Sequence, residues 1–268
     1  MMRLVRGVPW ARVGFIVALV GAATLVTLTV RGQEVPWSAL VANFVLLLSV
    51  VGLGIWLQGG GLFARPILGV AGPSVAGKIA LTFDDGPDAI ETRRVLALLE
   101  SRGHRGTFFV IGQRAEAEPA LVAELCQRGH GLGNHSFAHA HASPFWSVPR
   151  LVADLQRAAT VLAAAAGLAP RWYRAPIGIV SPPVARAAKE LGLVLVGWTA
   201  TARDGVAGTA VASAHRRLRR ALRPGAILVL HDGGRAPIAA EVLRLLLDDL
   251  DSQKLRSVTL DELLGASA

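Results

Sequence analysis

The apolar residues of this 268-residue chain are concentrated in two uninterrupted runs near its N-terminus. Neither Val13–Val30 nor Val35–Leu57 contains a charged residue, whereas the short link between them holds Arg31 and Glu34. As helices these runs would be roughly 27 and 35 Å long, and the hydrocarbon core of a bilayer is about 30 Å thick. The pattern predicts a membrane region at residues 1–58 that contains a two-helix transmembrane hairpin, with spans at about 13–30 and 35–57.

A cleaved signal peptide is the alternative interpretation of the first run. Arg3, Arg6 and Arg12 precede it, and the small residues 21–23 resemble a cleavage site. However, the apolar run continues well beyond these small residues and a second run follows almost at once. We therefore favour the hairpin.

Strand-like and helix-like patterns alternate after a Gly/Pro-rich connector at residues 59–77. Strands are predicted at Ile79–Phe83, Thr107–Ile111, Gly131–Asn134, Trp172–Ala175, Val194–Trp198, Ile227–Leu230 and Ser257–Leu260. Helices are predicted at Glu91–Arg102, Pro119–Arg128, Leu151–Ala166, Pro183–Leu191, Thr209–Leu222 and Ile238–Leu250. Short apolar strands separated by helices are typical of an α/β domain with a parallel sheet, either a barrel or a doubly wound sheet. We place this domain at residues 78–262.

Ionisable side chains follow five of the predicted strands. In parallel α/β folds, loops and helix N-termini converge at the carboxyl ends of the strands, where catalytic groups gather. The sequence therefore predicts one site at this edge, built from Asp84, Asp85, His135, Arg174, Asp204 and His231.

Two segments suggest what this site holds. In "TFDDGP", Asp84 and Asp85 end a strand, so they should point to opposite sides, one towards a cation and the other towards water or substrate. In "NHSFAH", His135 and His139 are four residues apart and would share one face of a helical turn, as two zinc ligands do. Alone, the first segment could be a solvated turn and the second an ordinary pair of histidines. Together, in an alternating fold, they favour a metal site.

Four motifs, "TFDDGP", "HSFAH", "RAPIG" and "LVLHDG", resemble in this order those of the polysaccharide deacetylase family, carbohydrate esterase family four. The resemblance covers roughly residues 78–260 and leaves out the two apolar runs. It implies a distorted (β/α)7-type barrel that removes N-acetyl groups from amino sugars with one divalent metal ion, usually zinc.

The resemblance also implies a role for each residue at a matching position. Asp84 would be the general base, and Arg174 would pair with it. Asp85, His135 and His139 would hold the metal, although His141 could compete with His139 as a ligand.

The remaining implied roles concern the acid and the substrate. His231 would be the general acid and Asp204 would hold its ring. The backbone N–H of Ile177 would stabilise the oxyanion, and Val229 or Leu228 would line a pocket for the acetyl methyl group. Two positions depart from the family pattern: Ile177 replaces a tyrosine, and Gly205 replaces a tryptophan whose place Trp198 or Trp146 could take.

The composition narrows the set of partners. Cys126 is the only cysteine, which excludes a disulfide framework and a thiolate metal site. The net charge of +9 is not accompanied by any nucleic-acid-binding motif, so we expect no nucleic acid partner. Much of the charge lies beside the apolar runs and on one helix with Arg216, Arg217, Arg219, Arg220 and Arg223, which suggests an anionic membrane lipid as a partner. A solvated outer helix is the simpler interpretation of that helix. We expect His104 to be a solvated residue.

The arginines that flank the apolar runs predict the orientation. Three precede the first run and Arg65 and Lys78 follow the second, which places both chain ends and the catalytic domain in the cytoplasm. An N-acetylated saccharide is the expected substrate. The alternative is a deacetylase or deformylase that acts on a lipid-linked sugar intermediate at the cytoplasmic face. Many members of the family act outside the cell, which argues for the opposite orientation.

A catalytically inactive saccharide-binding module of a membrane assembly is the alternative that is not an enzyme. The sequence does not predict an oligomeric state.

Overall fold

A computed structural model describes residues 2–6, 10–56, 63–234 and 237–265 of the chain. Its strands are β1 (Arg3–Arg6), β2 (Ile67–Ala71), β3 (Lys78–Asp84), β4 (Gly106–Val110), β5 (Gly131–Asn134), β6 (Trp172–Tyr173), β7 (Val194–Leu195), β8 (Ala200–Thr201), β9 (Ile227–His231) and β10 (Arg256–Ser257). Its helices are α1 (Trp10–Val30), α2 (Trp37–Trp56), α3 (Glu91–Ser101), α4 (Gly112–Ala117), α5 (Pro119–Gln127), α6 (Val148–Ala166), α7 (Pro182–Glu190), α8 (Val211–Arg219), α9 (Ala239–Ser252) and α10 (Leu260–Leu264).

The two N-terminal helices pack against each other through small residues of α1. A Cβ on Gly14 would lie 3.0 Å from the Val50 side chain, and one on Gly21 would lie 2.5 Å from Oδ1 of Asn43. Small residues of this kind let helix backbones approach closely. The two helices lie close to the predicted limits, and residues 31–36 join them.

Helix α1 is long and apolar enough to cross a membrane, a property that an N-terminal signal sequence shares. The side chains of α2 are described for Trp37–Leu53. This apolar segment is shorter than a helix that crosses a membrane. One span is therefore supported by length and composition, and the second stays a prediction.

A curled parallel sheet forms the centre of the catalytic region. Its strand order is β7-β6-β5-β4-β3-β9-β8, and β10 pairs with β3. Strand β2 makes single bridges from Ile67 to Val196 and from Gly69 to Ala226, which places it at the gap between the two ends of the sheet. The predicted alternation of parallel strands and helices is thus confirmed, and the predicted barrel takes the form of a curled sheet.

The segment predicted as a connector, 59–77, contains part of the core. Residues 59–62 lie outside the described residues, but Ile67, Val70 and Val75 are buried and pack with Ala80 and Ile227. The β-branched and apolar side chains of "ILGV" fit a strand, although the surrounding Gly and Pro residues predicted a linker. The sequence also did not predict β1, β8, α4 and α10.

Helices pack on the outer face of the sheet and position its carboxyl edge. Leucines of α3 and α9 bury their apolar stripes against Leu81, Phe83 and Leu228 in one continuous core. At about 25 cal/mol per Å² of buried apolar surface, such packing is the main force that fixes strand ends relative to one another. The side chains at this edge are therefore held on a rigid base.

Candidate active site

The carboxyl ends of the strands surround a cavity of about 310 Å³. Asp84 ends β3 and His231 ends the neighbouring strand β9, and the two residues are paired in register. The described lining of the cavity also includes Asp85, His135, His139, Ile177, Trp198 and Thr201. The fold thus brings together most of the side chains that the strand-end argument selected.

The carboxylate of Asp84 is fixed by a buried arginine. Nη1 of Arg174 donates to Oδ1 of Asp84 at 2.6 Å and to Oγ1 of Thr82 at 2.8 Å. Nη2 of Arg174 donates to the carbonyl of Gly197 at 3.0 Å, and the guanidinium stacks 4.1 Å from the centroid of Phe109. Since Arg174 is fully buried and its donors are used, it holds Asp84 in one orientation.

Asp85 faces the same cavity and has different neighbours. It lies just beyond β3 with φ of 69°, a left-handed conformation that an aspartate tolerates better than most residues. Nε2 of His139 and Nε2 of His135 lie 3.1 and 3.3 Å from its Oδ1. The alternation argument, which put the two carboxylates on opposite sides, was wrong because Asp85 is not part of the strand.

These three side chains fit a metal ion. Their ligand atoms all lie within 4.8 Å of one another, and no hydrogen-bond donor among the described residues satisfies Oδ1 of Asp85 although that atom is buried. Nδ1 of His135 lies 2.8 Å from the carbonyl of Arg174, which fixes the tautomer with Nε2 free to bind a metal.

His135 and His139 approach each other through a loop and not through a helical turn. Ser136 and His139 have positive φ angles of 67° and 48°, which no α-helix contains. The carboxylate of Asp154 in α6 accepts from the backbone N–H of Phe137 at 2.9 Å and of Ala138 at 3.3 Å. The predicted helical turn was therefore wrong. His141 lines the cavity but is not part of the three-residue cluster.

His231 lines the same cavity and is paired with Asp204. Its Nδ1 lies 2.7 Å from Oδ1 of Asp204, and its backbone N–H donates to Oδ2 of Asp204 at 2.9 Å. Burial would lower the pKa of His231, but the hydrogen bond to Asp204 and the charges of the nearby carboxylates raise it to about 9. The imidazole is therefore a cation at neutral pH.

The residues assigned to substrate binding fall into two groups. Ile177 and Trp198 lie on the cavity wall, and Ile177 has φ of 50°, a rare and strained conformation for a β-branched residue. Val229 is buried in β9, 1% exposed, and is not among the described residues that line the cavity. Val206, which we did not select, lies on the wall beside Gly205 and is 62% exposed.

The sequence argument also missed a buried carboxylate behind the site. Asp232 accepts a hydrogen bond from Oγ1 of Thr92 at 2.6 Å, and burial raises its pKa to about 7. A Cβ on Gly86 would lie 2.5 Å from its Oδ2, so the "DDGP" turn needs glycine there. Asp232 directly follows His231 in "LVLHDG", and this position could have indicated that it lies near the site.

Comparisons with known proteins agree with this geometry. Residues 71–196 match the family model described as polysaccharide deacetylase. A peptidoglycan-N-acetylglucosamine deacetylase of Bacillus cereus is 36% identical over 190 residues, which cover 69% of this chain and 87% of that protein. A chitooligosaccharide deacetylase of Sinorhizobium fredii is 35% identical over 170 residues, which cover 63% and 76% of the two chains.

Solved structures show the same fold. The family 4 acetyl xylan esterase of Clostridium thermocellum, solved with a cobalt ion, has a TM-score of 0.64 and 32% identity and covers 70% of this chain and 90% of its own. The family 4 carbohydrate esterase of Streptomyces lividans, solved with acetate, has a TM-score of 0.64 and 26% identity and covers 70% and 95%. Fold, motifs and sequence identity agree, and the chain belongs to the polysaccharide deacetylase family.

Proposed function

We propose that the chain is a membrane-anchored, metal-dependent hydrolase that removes N-acetyl groups from amino-sugar residues of a saccharide. The observation that supports this most directly is the separation of the two adjacent carboxylates. Asp84 is paired with Arg174, whereas Asp85 is left to the two imidazoles. One cavity thereby offers a fixed base and a metal site side by side.

The metal would be held by Asp85, His135 and His139. Two imidazole nitrogens and one carboxylate oxygen, with a position left open, are typical of catalytic zinc. When bound there, such an ion polarises an acyl carbonyl and lowers the pKa of a water molecule. We therefore propose one divalent ion, zinc, as the cofactor.

Asp84 is the proposed general base. It lines the cavity, and the ion pair with Arg174 keeps its carboxylate oriented. A carboxylate in this position can accept a proton from the attacking water. Arg174 is fully buried behind it, so we assign it a positioning role.

His231 is the proposed general acid. An amide nitrogen is a poor leaving group as an anion, so it must receive a proton as the C–N bond breaks. His231 lines the same cavity as the cluster and is protonated at neutral pH, because Asp204 and the nearby carboxylates raise its pKa. Asp204 also holds the ring through Nδ1, which leaves Nε2 to donate the proton.

Other groups would receive the substrate. We propose that the backbone N–H of Ile177 stabilises the developing oxyanion and that Trp198 offers an aromatic face to a sugar ring. Val229 would contact the acetyl methyl group only if the core beside Thr82 rearranged, because it is buried there. Exposed Val206 is better placed to touch the substrate.

Acetate release from N-acetylglucosamine oligomers tests the proposal. The full chain should release acetate, lose the activity after chelation, and regain it when zinc is added back. A His135→Ala variant should stay inactive after zinc addition, whereas an Arg186→Gln variant on the exposed surface of α7 should behave like the wild type. Activity that survives complete metal removal would contradict the proposal, and binding of the oligomers without acetate release would favour a saccharide-binding module.

A lipid-linked sugar is a second candidate substrate, which the membrane helix favours. We propose that α1 and α2 both cross the membrane and that the catalytic region lies on the cytoplasmic side, following the arginine distribution. The peptidoglycan deacetylase of Bacillus cereus points to the opposite side, since its name refers to a wall polymer. Activity on a lipid-linked N-acetylated sugar, with none on free oligomers, would support this second candidate.

A further inference from the structure

The two-stranded ribbon β1–β2 carries a basic cavity. This cavity has a volume of about 400 Å³ and is lined by Arg3, Arg6 and Arg65, together with Leu4, Val5 and Ala71. None of the described residues that line it is acidic. Three guanidinium groups around one concave surface form a site for an anion, since arginine presents its donors as a planar fork that fits phosphate.

The ribbon is firmly attached to the catalytic region. Arg3 pairs with Ala71 and Arg6 with Ile67, and a bulge separates Val5 from Arg6. The extra residue of this bulge is Leu68 of β2, and both Arg3 and Arg6 line the cavity. Leu4 packs against the buried cluster of Ile67 and Val70, which fixes the ribbon to the domain.

The position of the ribbon along the chain sets its distance from the membrane. Four Cα steps separate Arg6 from Trp10, where α1 begins, so the two lie at most about 14 Å apart. A bilayer carries roughly 5–8 Å of headgroups on each side of its core. Trp10 is 37% exposed and Trp37, at the start of α2, is 78% exposed, as expected of rings at the two interfaces. The ribbon is therefore close enough to the start of α1 for Arg6 to reach the headgroup region of a bilayer that α1 crosses.

We propose that the basic cavity of the β1–β2 ribbon binds the phosphate group of an anionic membrane phospholipid. The inference rests on the membrane anchoring proposed above and is independent of the deacetylase chemistry. The lipid, and not a soluble phosphate, is the ligand because the cavity is tied to a membrane helix by only residues 7–9. Bound lipid would fix the orientation of the catalytic region relative to the membrane surface.

Lipid binding to the full chain in detergent tests this inference. Native mass spectrometry would count bound dioctanoyl phosphatidylglycerol, with dioctanoyl phosphatidylcholine and inorganic phosphate as comparison ligands. We expect selective binding of phosphatidylglycerol. In R3Q/R6Q/R65Q we expect binding about 100-fold weaker, since each basic residue near an anionic surface contributes about a fivefold factor.

A matched variant tests whether weaker lipid binding comes from the loss of the cavity arginines or from the lower overall charge. R94Q/R186Q/R244Q removes three arginines that are exposed on α3, α7 and α9, and it should bind phosphatidylglycerol like the wild type. R3K/R6K/R65K keeps the charge but loses the planar fork, and should bind with intermediate affinity. Equal binding by the wild type and R3Q/R6Q/R65Q would overturn the inference, as would equal loss in the matched variant or displacement of the lipid by inorganic phosphate at the same concentration.

Extraction of membranes with alkaline carbonate distinguishes this inference from the anchoring itself. The wild type and R3Q/R6Q/R65Q should both stay in the membrane fraction, because α1 and α2 and not the ribbon insert into the bilayer. A chain that carbonate releases would overturn the anchoring and this inference with it. A chain that stays in the membrane but shows no lipid selectivity would overturn only the inference.

Discussion

The charge of His231 depends on the carboxylates around it. Burial would lower the pKa of the imidazole, but the hydrogen bond to Asp204 and the charges of Asp84, Asp204 and Asp85 raise it to about 9, against an ordinary value of about 6.5. The raised pKa means that the pairing stabilises the fold fully below about pH 6.5 and that this contribution is lost as the pH rises through about 9. The same protonated form is the proposed acid.

The alkaline limb of the pH–rate profile tests this assignment. We expect kcat/KM to fall as the pH rises through a value at or below about 9, because a bound cation can only lower the pKa of His231. In Asp204→Asn the limb should move to lower pH, since the neutral amide cannot stabilise the imidazolium. A profile whose limb is the same in both proteins would show that another group supplies the proton.

Arg174 is the buried cation on which the geometry of Asp84 depends. Arg174→Gln should destabilise the protein by about 3–5 kcal/mol, because it leaves the Asp84 charge buried without a partner. Thermal melts in detergent measure this effect, with exposed Arg186→Gln as a control that should change stability by less than about 0.5 kcal/mol. Arg174→Lys should recover part of the stability but little activity, since an ammonium cannot reach Asp84, Thr82 and Gly197 together. Equal melting of the glutamine variant and the wild type would contradict this account.

At the scale of elements, the loop between β5 and α6 decides whether His135 and His139 can bind the same metal ion. Asp154 accepts two backbone N–H groups of this loop, and Asn134 accepts a third, from Ser136 at 2.8 Å. The polar side chains thus replace the hydrogen bonds that a helix would have provided.

Asp154→Ala should separate metal binding from folding. Without its two acceptors the loop is free to move His139, and we expect zinc affinity to fall by about 10- to 100-fold. Competition with a chromogenic chelator gives the affinity, and circular dichroism should show an unchanged helix content. Asp248→Ala, on the outer surface of α9, is the control. An Asp154→Ala variant that binds zinc like the wild type would refute the role of the loop.

The same loop shows which features of the site could not be predicted from the sequence. The spacing of His135 and His139 is visible in the sequence, but the positive φ angles at Ser136 and His139 depend on hydrogen bonds from α6 and β5. Spacing therefore predicted the pair of ligands and missed the backbone that joins them. His104 was expected to be solvated, yet it is buried, and its Nδ1 accepts from the N–H of Ser257, 153 residues away.

At the scale of the molecule, the alternation of strands and helices along the chain was predictable and the ends of the sheet were not. The long helices and apolar central strands have strong local patterns, so β3, β5 and β9 appear where the sequence placed them. Strand β2 and the two-residue strand β8 lack such patterns and are defined by pairing with distant residues such as Val196 and Leu228. The adjacent strand ends then bring Asp84 and His231 together, as expected.

The orientation of the whole molecule is tested by reporter fusions. Alkaline phosphatase fused to the C-terminus should be inactive, because it folds only outside the cytoplasm, and green fluorescent protein fused there should fluoresce. The reason is the excess of arginine before α1 and after α2. Fusions truncated within residues 31–36 should give the opposite pattern, which serves as the internal control. An active C-terminal phosphatase would reverse the proposed orientation and leave wall polymers as the accessible substrate.

The adjacent carboxylates of "TFDDGP" offer the most direct test of the central claim. Asp84→Asn and Asp85→Asn are the same chemical change one residue apart, but the two side chains have different partners. We would measure bound zinc and acetate release in parallel for both variants. The account predicts that Asp84→Asn keeps its zinc and releases acetate about 100- to 10,000-fold more slowly, whereas Asp85→Asn loses both. Zinc loss in Asp84→Asn with retention in Asp85→Asn, or acetate release at the wild-type rate by Asp84→Asn, would contradict the account.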